Sequence, residues 1–165
     1  MSDPIAMEIV GVRIELPTNT PMLLLRERDG SRYLPIWIGT AEATAIALAM
    51  EGVEPARPMT HDLVKTLLER LETNVDRVLI TELRDGTYYA DLVLARADEE
   101  VVISSRPSDA IAIATRTGTP VYAERDLLEE AGVEIHDVDE EEEIERFREF
   151  LDDVSPEDFE AGSTS

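Results

Sequence analysis

Cysteine is absent from the 165 residues, which excludes disulfides, thiolate nucleophiles and cysteine metal sites. No apolar run approaches the roughly 20 residues that cross a bilayer. The N-terminus also lacks a basic region followed by an apolar one, so a cytoplasmic protein with no membrane contact is expected. Three strong catalytic signatures are missing as well: a phosphate loop, paired metal-binding histidines on one helix, and a nucleophile elbow. Bases are scarce. Lys and Arg number 15 against 37 Asp and Glu, a formal charge of −22. Residues 124–165 carry 18 of those acids and 3 of the bases. Phosphate backbones are bound by clustered Lys and Arg, and no such cluster stands anywhere along the chain. A patch built from distant strands remains open through Arg13, Arg26, Arg28, Arg32, Arg84 and Arg96, with scattered solvated arginines as the alternative.

What is present suits one globular domain with a tail. The apolar content is 43%, enough for a real core at this length. We expect a domain over residues 1–135 and an acidic extension over 136–165. The fold class expected is α+β: a mostly antiparallel, hairpin-built sheet packed with two alanine-rich helices and one amphipathic helix.

The stretch Val101–Ala123 organises the rest. Val101, Val102 and Ile103 form a short β-branched run that suits a buried strand with both faces covered. Pro107 biases Arg106 away from the helical region, Ser108 is a natural cap, and Asp109 meets the positive end of a new helix. Alanines from Ala110 to Ala114 favour that helix, Gly118 suits a left-handed stop, and Val121–Ala123 returns as a strand. Upstream, Met7–Leu16 alternates as a first strand. Met22–Arg28 and Arg32–Ile38 face each other across Asp29-Gly30, and Val75–Leu83 and Thr87–Ala97 across Asp85-Gly86, both dipeptides that accept positive φ. Pro35 places its strand at an edge or a bulge. Trp37 reads as a core or interface side chain, or as a stacking platform.

Two further helices are expected. Ala41–Met50 is alanine-rich, with Thr40 as cap. His61–Leu71 is amphipathic, with Thr60 as cap and Leu63, Val64, Leu67, Leu68 and Leu71 toward the core. After Ala123 a short helix should cover Asp126–Ala131, and an acidic one Asp139–Leu151, with Ile144, Phe147, Phe150 and Leu151 on one side. Ser155-Pro156 suits a last turn. His136 is given no role.

The chemistry-bearing residues gather at three helix starts: Thr40/Glu42, Thr60/His61/Asp62 and Arg106/Ser108/Asp109. Free N–H groups and the helix dipole there can hold phosphate or fix a carboxylate. The dipole favours the ionised carboxylate, so Glu42, Asp62 and Asp109 suit a divalent cation such as Mg2+. His61 suits proton transfer, with Asp62 and Asp109 as its catalytic companions. Arg106, Ser108 and Thr60 suit phosphate. Capping and local ion pairing account for the same residues without any function, and both readings stand at this level.

Leu34-Pro35-Ile36-Trp37-Ile38-Gly39 with Glu42-Ala43, Arg57-Pro58-Met59-Thr60-His61-Asp62-Leu63, Asp85-Gly86-Thr87-Tyr88-Tyr89-Ala90 and Ser105-Arg106-Pro107-Ser108-Asp109-Ala110-Ile111-Ala112 occur in that order. Together they resemble the successive motifs of the bifunctional nuclease family, over about Met7 to Ala123, and the acidic tail is similar to that of actinobacterial members. The resemblance implies an α+β domain that forms homo-oligomers and hydrolyses phosphodiester bonds in DNA and RNA. It transfers no catalytic set. Two functions follow: a metal-assisted phosphodiesterase acting on DNA or RNA, or a non-catalytic oligomeric binding domain whose acidic tail engages a protein partner.

Overall fold

A computed structural model describes residues 3–135. The acidic segment lies outside the described residues, and with it His136, the helix expected at 139–151 and the turn expected at 155–158. Contacts close one compact unit at Val133. Three antiparallel strands open the chain: β1 (Ile5–Glu15), β2 (Thr20–Glu27) and β3 (Arg32–Trp37). Two helices follow, α1 (Thr40–Met50) and α2 (Thr60–Arg70), then a second antiparallel meander, β4 (Thr73–Arg84), β5 (Thr87–Arg96) and β6 (Glu99–Ser105). The chain continues through α3 (Pro107–Thr117), β7 (Val121–Ala123), α4 (Arg125–Ala131) and the two-residue β8 (Val133–Glu134). All strands join one sheet in the order β6-β5-β4-β7-β1-β2-β3-β8. The short β7 welds the two meanders, pairing antiparallel with β1 and parallel with β4. The fold is α+β, as expected.

The two Asp-Gly turns behave differently. At β4–β5, Asp85 (φ 52°) and Gly86 (φ 78°) both adopt the left-handed conformation of a tight two-residue hairpin. Gly30 does not share that conformation. The β2–β3 connection is closed instead by the Glu27 carboxylate, which accepts hydrogen bonds from the Arg32 backbone N–H at 3.1 Å and its Nε at 3.0 Å. A Cβ on Gly30 would collide with that carboxylate, so this glycine supplies room rather than backbone freedom. The Arg32 guanidinium holds the Glu27 pKa below its usual value against the opposing effect of burial.

The core lies between the sheet and the helices. Ala110, Ile111 and Ala112 of α3 are fully buried, against Val78, Ile80 and Ala90 of the sheet. α3 packs on β4 and β5 and carries α1 on one side and α2 on another. Alanine makes this close approach feasible, because a small side chain lets backbones come near without a void. Each fully buried Ile or Leu contributes about 2 kcal/mol by removal from water.

Two expectations fail and a third is narrowed. Val101, Val102 and Ile103 are 38%, 53% and 46% exposed, because β6 is the outermost strand and, among the described residues, no layer covers it. An apolar run alone does not distinguish a central strand from an uncovered edge. Leu63, Leu67 and Leu71 are 49%, 52% and 57% exposed, so only Val64 and Leu68 of α2 pack against the core. Trp37 is exposed at the end of β3, which removes the core reading and leaves an interface side chain or a stacking platform. A bulge between Ile9 and Gly11 shifts the register of β1, and Ile14 and Leu16 run past the core into solvent. No helix among the described residues is long and apolar enough to cross a membrane.

Gly118 ends α3 at φ 67°, with nothing within 4 Å of where a Cβ would stand. Gly118→Ala should therefore cost only the left-handed penalty, about 1 kcal/mol. Urea unfolding of the two proteins checks this.

Candidate functional site

Three helix starts meet. The cap residues are Gly39 for α1, Met59 for α2 and Arg106 for α3, all with extended backbone. The expected caps Thr40, Thr60 and Ser108 therefore stand inside their helices, and none of the three starts has a cap hydrogen bond from the cap residue's side chain. Other groups do the work. The Met59 N–H donates to Asp62 Oδ2 at 3.0 Å, tying the first turn of α2 from within. In α3, Pro107 takes the first position, where a missing N–H costs nothing.

One chain of four side chains crosses the three starts. His61 Nε2 lies 2.9 Å from Asp109 Oδ1, Arg106 Nε donates to Asp109 Oδ2 at 2.9 Å, and Arg106 Nη2 donates to Glu42 Oε1 at 2.8 Å. His61 and Asp109 are 48 positions apart, Arg106 and Glu42 64, so only the tertiary fold assembles them. Exposure is graded. The Glu42 and His61 side chains are 16% and 13% exposed, Asp109 32%, and Arg106 65%. The guanidinium is thus the solvent-facing member, and the imidazole is nearly buried. Glu42 reaches its place because Gly39 has no side chain; a Cβ there would run into the carboxylate.

A second cluster backs the first. Arg116, in the last turn of α3, has a side chain 7% exposed and satisfies three acceptors: Asp62 Oδ1 at 2.7 Å, Ala45 O at 3.0 Å and Ala112 O at 2.8 Å. It therefore ties α1, α2 and α3 together from the buried side. Consecutive residues His61 and Asp62 grip α3 at Asp109 and Arg116, seven residues or about 10 Å apart along its axis. Sequence reading passed over Arg116. A base in a last turn next to a glycine stop looks like ordinary dipole compensation, and nothing local marks its burial.

The electrostatics follow from these contacts. Partial burial works to raise the Asp109 pKa, but hydrogen bonds and charge from His61 and Arg106 outweigh it and hold the carboxyl below its usual value. Arg116 and then the Met59 N–H lower Asp62 in the same way. Asp109 and Glu42 raise Arg106.

Of the residues singled out from the sequence, Glu42, His61, Arg106 and Asp109 form the network, and Asp62 belongs to the adjoining Arg116 cluster. Ser108 is buried at the second position of α3, so its hydroxyl is not at the surface, and Thr60 is exposed on the first turn of α2. Among the described residues no group of three or more His, Asp or Glu side chains is placed to hold a metal ion. Glu42 and Asp109 share one guanidinium and Asp62 takes another, so this donor set fits arginines rather than a cation. Of the six arginines that could build a basic patch, three are paired with acids: Arg26 with Glu8, Arg32 with Glu27 and Arg84 with Glu82.

Arg116→Met should destabilise the protein by about 3 kcal/mol at pH 7, since it strands a charge and two carbonyls. The folded Asp62 pKa is depressed, so its contribution is complete above the unfolded value of about 3.9 and is lost as pH falls through the folded value. The gap between wild type and variant should therefore narrow below about pH 4. Urea titrations at neutral and acid pH measure it.

Relatives carry the same architecture of sequence. The family model described as "Bifunctional nuclease domain" matches residues 23–136. An uncharacterised protein of Mycobacterium tuberculosis is 50% identical over 163 residues, covering 94% of this chain and 98% of that one. Bifunctional nuclease 2 of Oryza sativa subsp. japonica is 32% identical over 117 residues, 68% of this chain and 36% of that protein. Bifunctional nuclease 1 of Arabidopsis thaliana is 31% identical over 119 residues, 70% of this chain and 37% of that protein. The chain thus spans little more than a third of the plant proteins. With four ordered motifs folded into one α+β unit, and a family match across most of that unit, the chain belongs to the bifunctional nuclease domain family.

Proposed function

We propose that the chain hydrolyses phosphodiester bonds in DNA or RNA at the His61–Asp109–Arg106–Glu42 network. The observation that carries this reading is the graded exposure of that network. A solvent-facing guanidinium shares the Asp109 carboxylate with a nearly buried histidine, which meets it through Nε2. Arg106 spends Nε and Nη2 on Asp109 and Glu42, and among the described residues its Nη1 has no hydrogen-bond partner. It can meet a phosphate oxygen there without leaving its place. Asp109 orients the imidazole through its contact with Nε2.

Hydrolysis on these groups balances as follows. His61 takes a proton from a water whose oxygen attacks phosphorus. The phosphorus–oxygen bond to the leaving group breaks, and the imidazolium returns the proton to that oxygen. Arg106 neutralises charge on the non-bridging oxygens, where electrostatic stabilisation has most effect. The sequence-based suggestion of Mg2+ held by Glu42, Asp62 and Asp109 receives no support from an arrangement in which all three serve arginines, so no step is routed through a metal.

The alternating charges of the same network favour a second reading. Acid and base alternate from Glu42 to His61, as they do in a purely structural clamp between three helices. A non-catalytic binding domain would use it so. Stability and rate separate the two. On protein freed of contaminating nuclease, His61→Gln should lower cleavage of DNA and RNA oligonucleotides at least about 100-fold. Its melting temperature should change little. Arg106→Gln should raise KM more than it lowers kcat. Wild-type rates in both folded variants would remove the hydrolytic reading and leave the clamp.

A further inference from the structure

Two apolar surfaces meet at one end of the sheet, and among the described residues nothing covers either. The first is β6. Its inner edge pairs with β5 from Glu99 opposite Arg96 to Ser105 opposite Ala90, and its outer edge has no neighbouring strand. Val101 stands opposite Leu94 and Ile103 opposite Leu92, so both extend the helix-covered apolar face, while Val102 beside Val93 belongs to the reverse face. The second surface is the Leu63, Leu67 and Leu71 stripe of α2. That helix packs on α3 and β4, whereas α1 packs on α3, β1 and β2. In the sheet order this places α2 on the β6 side.

Soluble proteins guard a free edge with lysine, proline, a bulge or a covering element. Val101–Ser105 carries no lysine or proline, and its pairing with β5 has no register shift. We propose that β6 pairs antiparallel with β6 of a second copy of this chain, about a two-fold axis at Val102, to join two sheets into one. The strand's own charges select this partner and this direction. Centred on Val102, antiparallel pairing uses all seven residues of Glu99–Ser105. Val102 meets Val102 of the second copy, Val101 meets Ile103, Glu100 meets Ser104 and Glu99 meets Ser105. Every acid faces a serine. Parallel pairing would set Glu99 and Glu100 against like charges about 5 Å away, which is destabilising. The same rotation brings both leucine stripes to one face of the joined sheet, on either side of the axis. Net repulsion between two chains of charge −22 opposes the pairing, so added salt should strengthen it.

The absence of cysteine makes the test direct. Val102→Cys introduces a single thiol per chain, and in the proposed pair the two Cα atoms lie about 5 Å apart, within disulfide range. Under mild oxidation it should run as a covalent dimer on non-reducing gels. Glu99→Cys should stay monomeric there, because its two copies sit about 20 Å apart along the strands. In sedimentation velocity on the full chain, wild type should show the dimer mass and Val102→Lys the monomer mass, with an unchanged circular dichroism spectrum. A monomeric wild type, equal cross-linking by both cysteines, or a Val102→Lys protein that remains dimeric would each overturn the proposal. None of these readouts uses nuclease activity, so the result is independent of the function proposed above.

Discussion

The carboxylate of Asp109, shared between His61 and Arg106, is the contact on which the arrangement of the three helix starts depends. Burial alone would push this group toward its neutral form. Two donors from different elements reverse that, and the folded protein keeps an anion at the start of α3, where the helix dipole also favours it. Arg116 does the same at the other end of α3, with Asp62 as its anion and two helix carbonyls as further acceptors. Between those ends α3 is almost wholly apolar and small. Alanine brings its neighbours close, and the ionic contacts at either end set their orientation. A charge pair without burial would add little, and close packing without the pairs would leave rotation about the helix axis free.

The proposed function and the bulk charge pull in different directions. Residues 124–165 of the sequence carry 18 of the 37 acids, and the exposed guanidinium of Arg106 belongs to the network. Phosphate is recognised locally by a fork of donors, while net charge governs encounter and its salt dependence. The family relationship carries a nuclease name in plants, in proteins nearly three times as long as the matched region. Which chemistry this unit performs rests on its own residues.

Edges present the converse problem. The sheet is welded in its middle by the three residues of β7, and its end strands β6 and β8 contribute no buried core residue. At the β6 end the helix layer stops short, and a run of valine and isoleucine that would suit an interior strand is left in solvent. Hydrophobicity recorded in a sequence reports only that a surface will be covered. Whether a helix of the same chain or another chain supplies the cover is a matter of layer width, which no local pattern encodes.

Local physics made much of this protein legible in the sequence. The positive-φ turn at Asp85-Gly86, the left-handed stop at Gly118, Pro107 at the head of α3 and the alanine faces of α1 and α3 each depend on a few neighbouring residues, and each stands where the chain placed it. The helix starts that carry Glu42, His61, Arg106 and Asp109 do so to within one or two residues. Tertiary structure alone decided the rest. It paired the carboxylates of the helix starts with arginines, buried Arg116, and left β6 and the α2 leucines uncovered among the described residues. The reason is physical: turns and caps are settled by contacts within one turn of chain, whereas pairing and burial depend on groups 48 to 64 positions away, whose approach is set only when the sheet and helices pack.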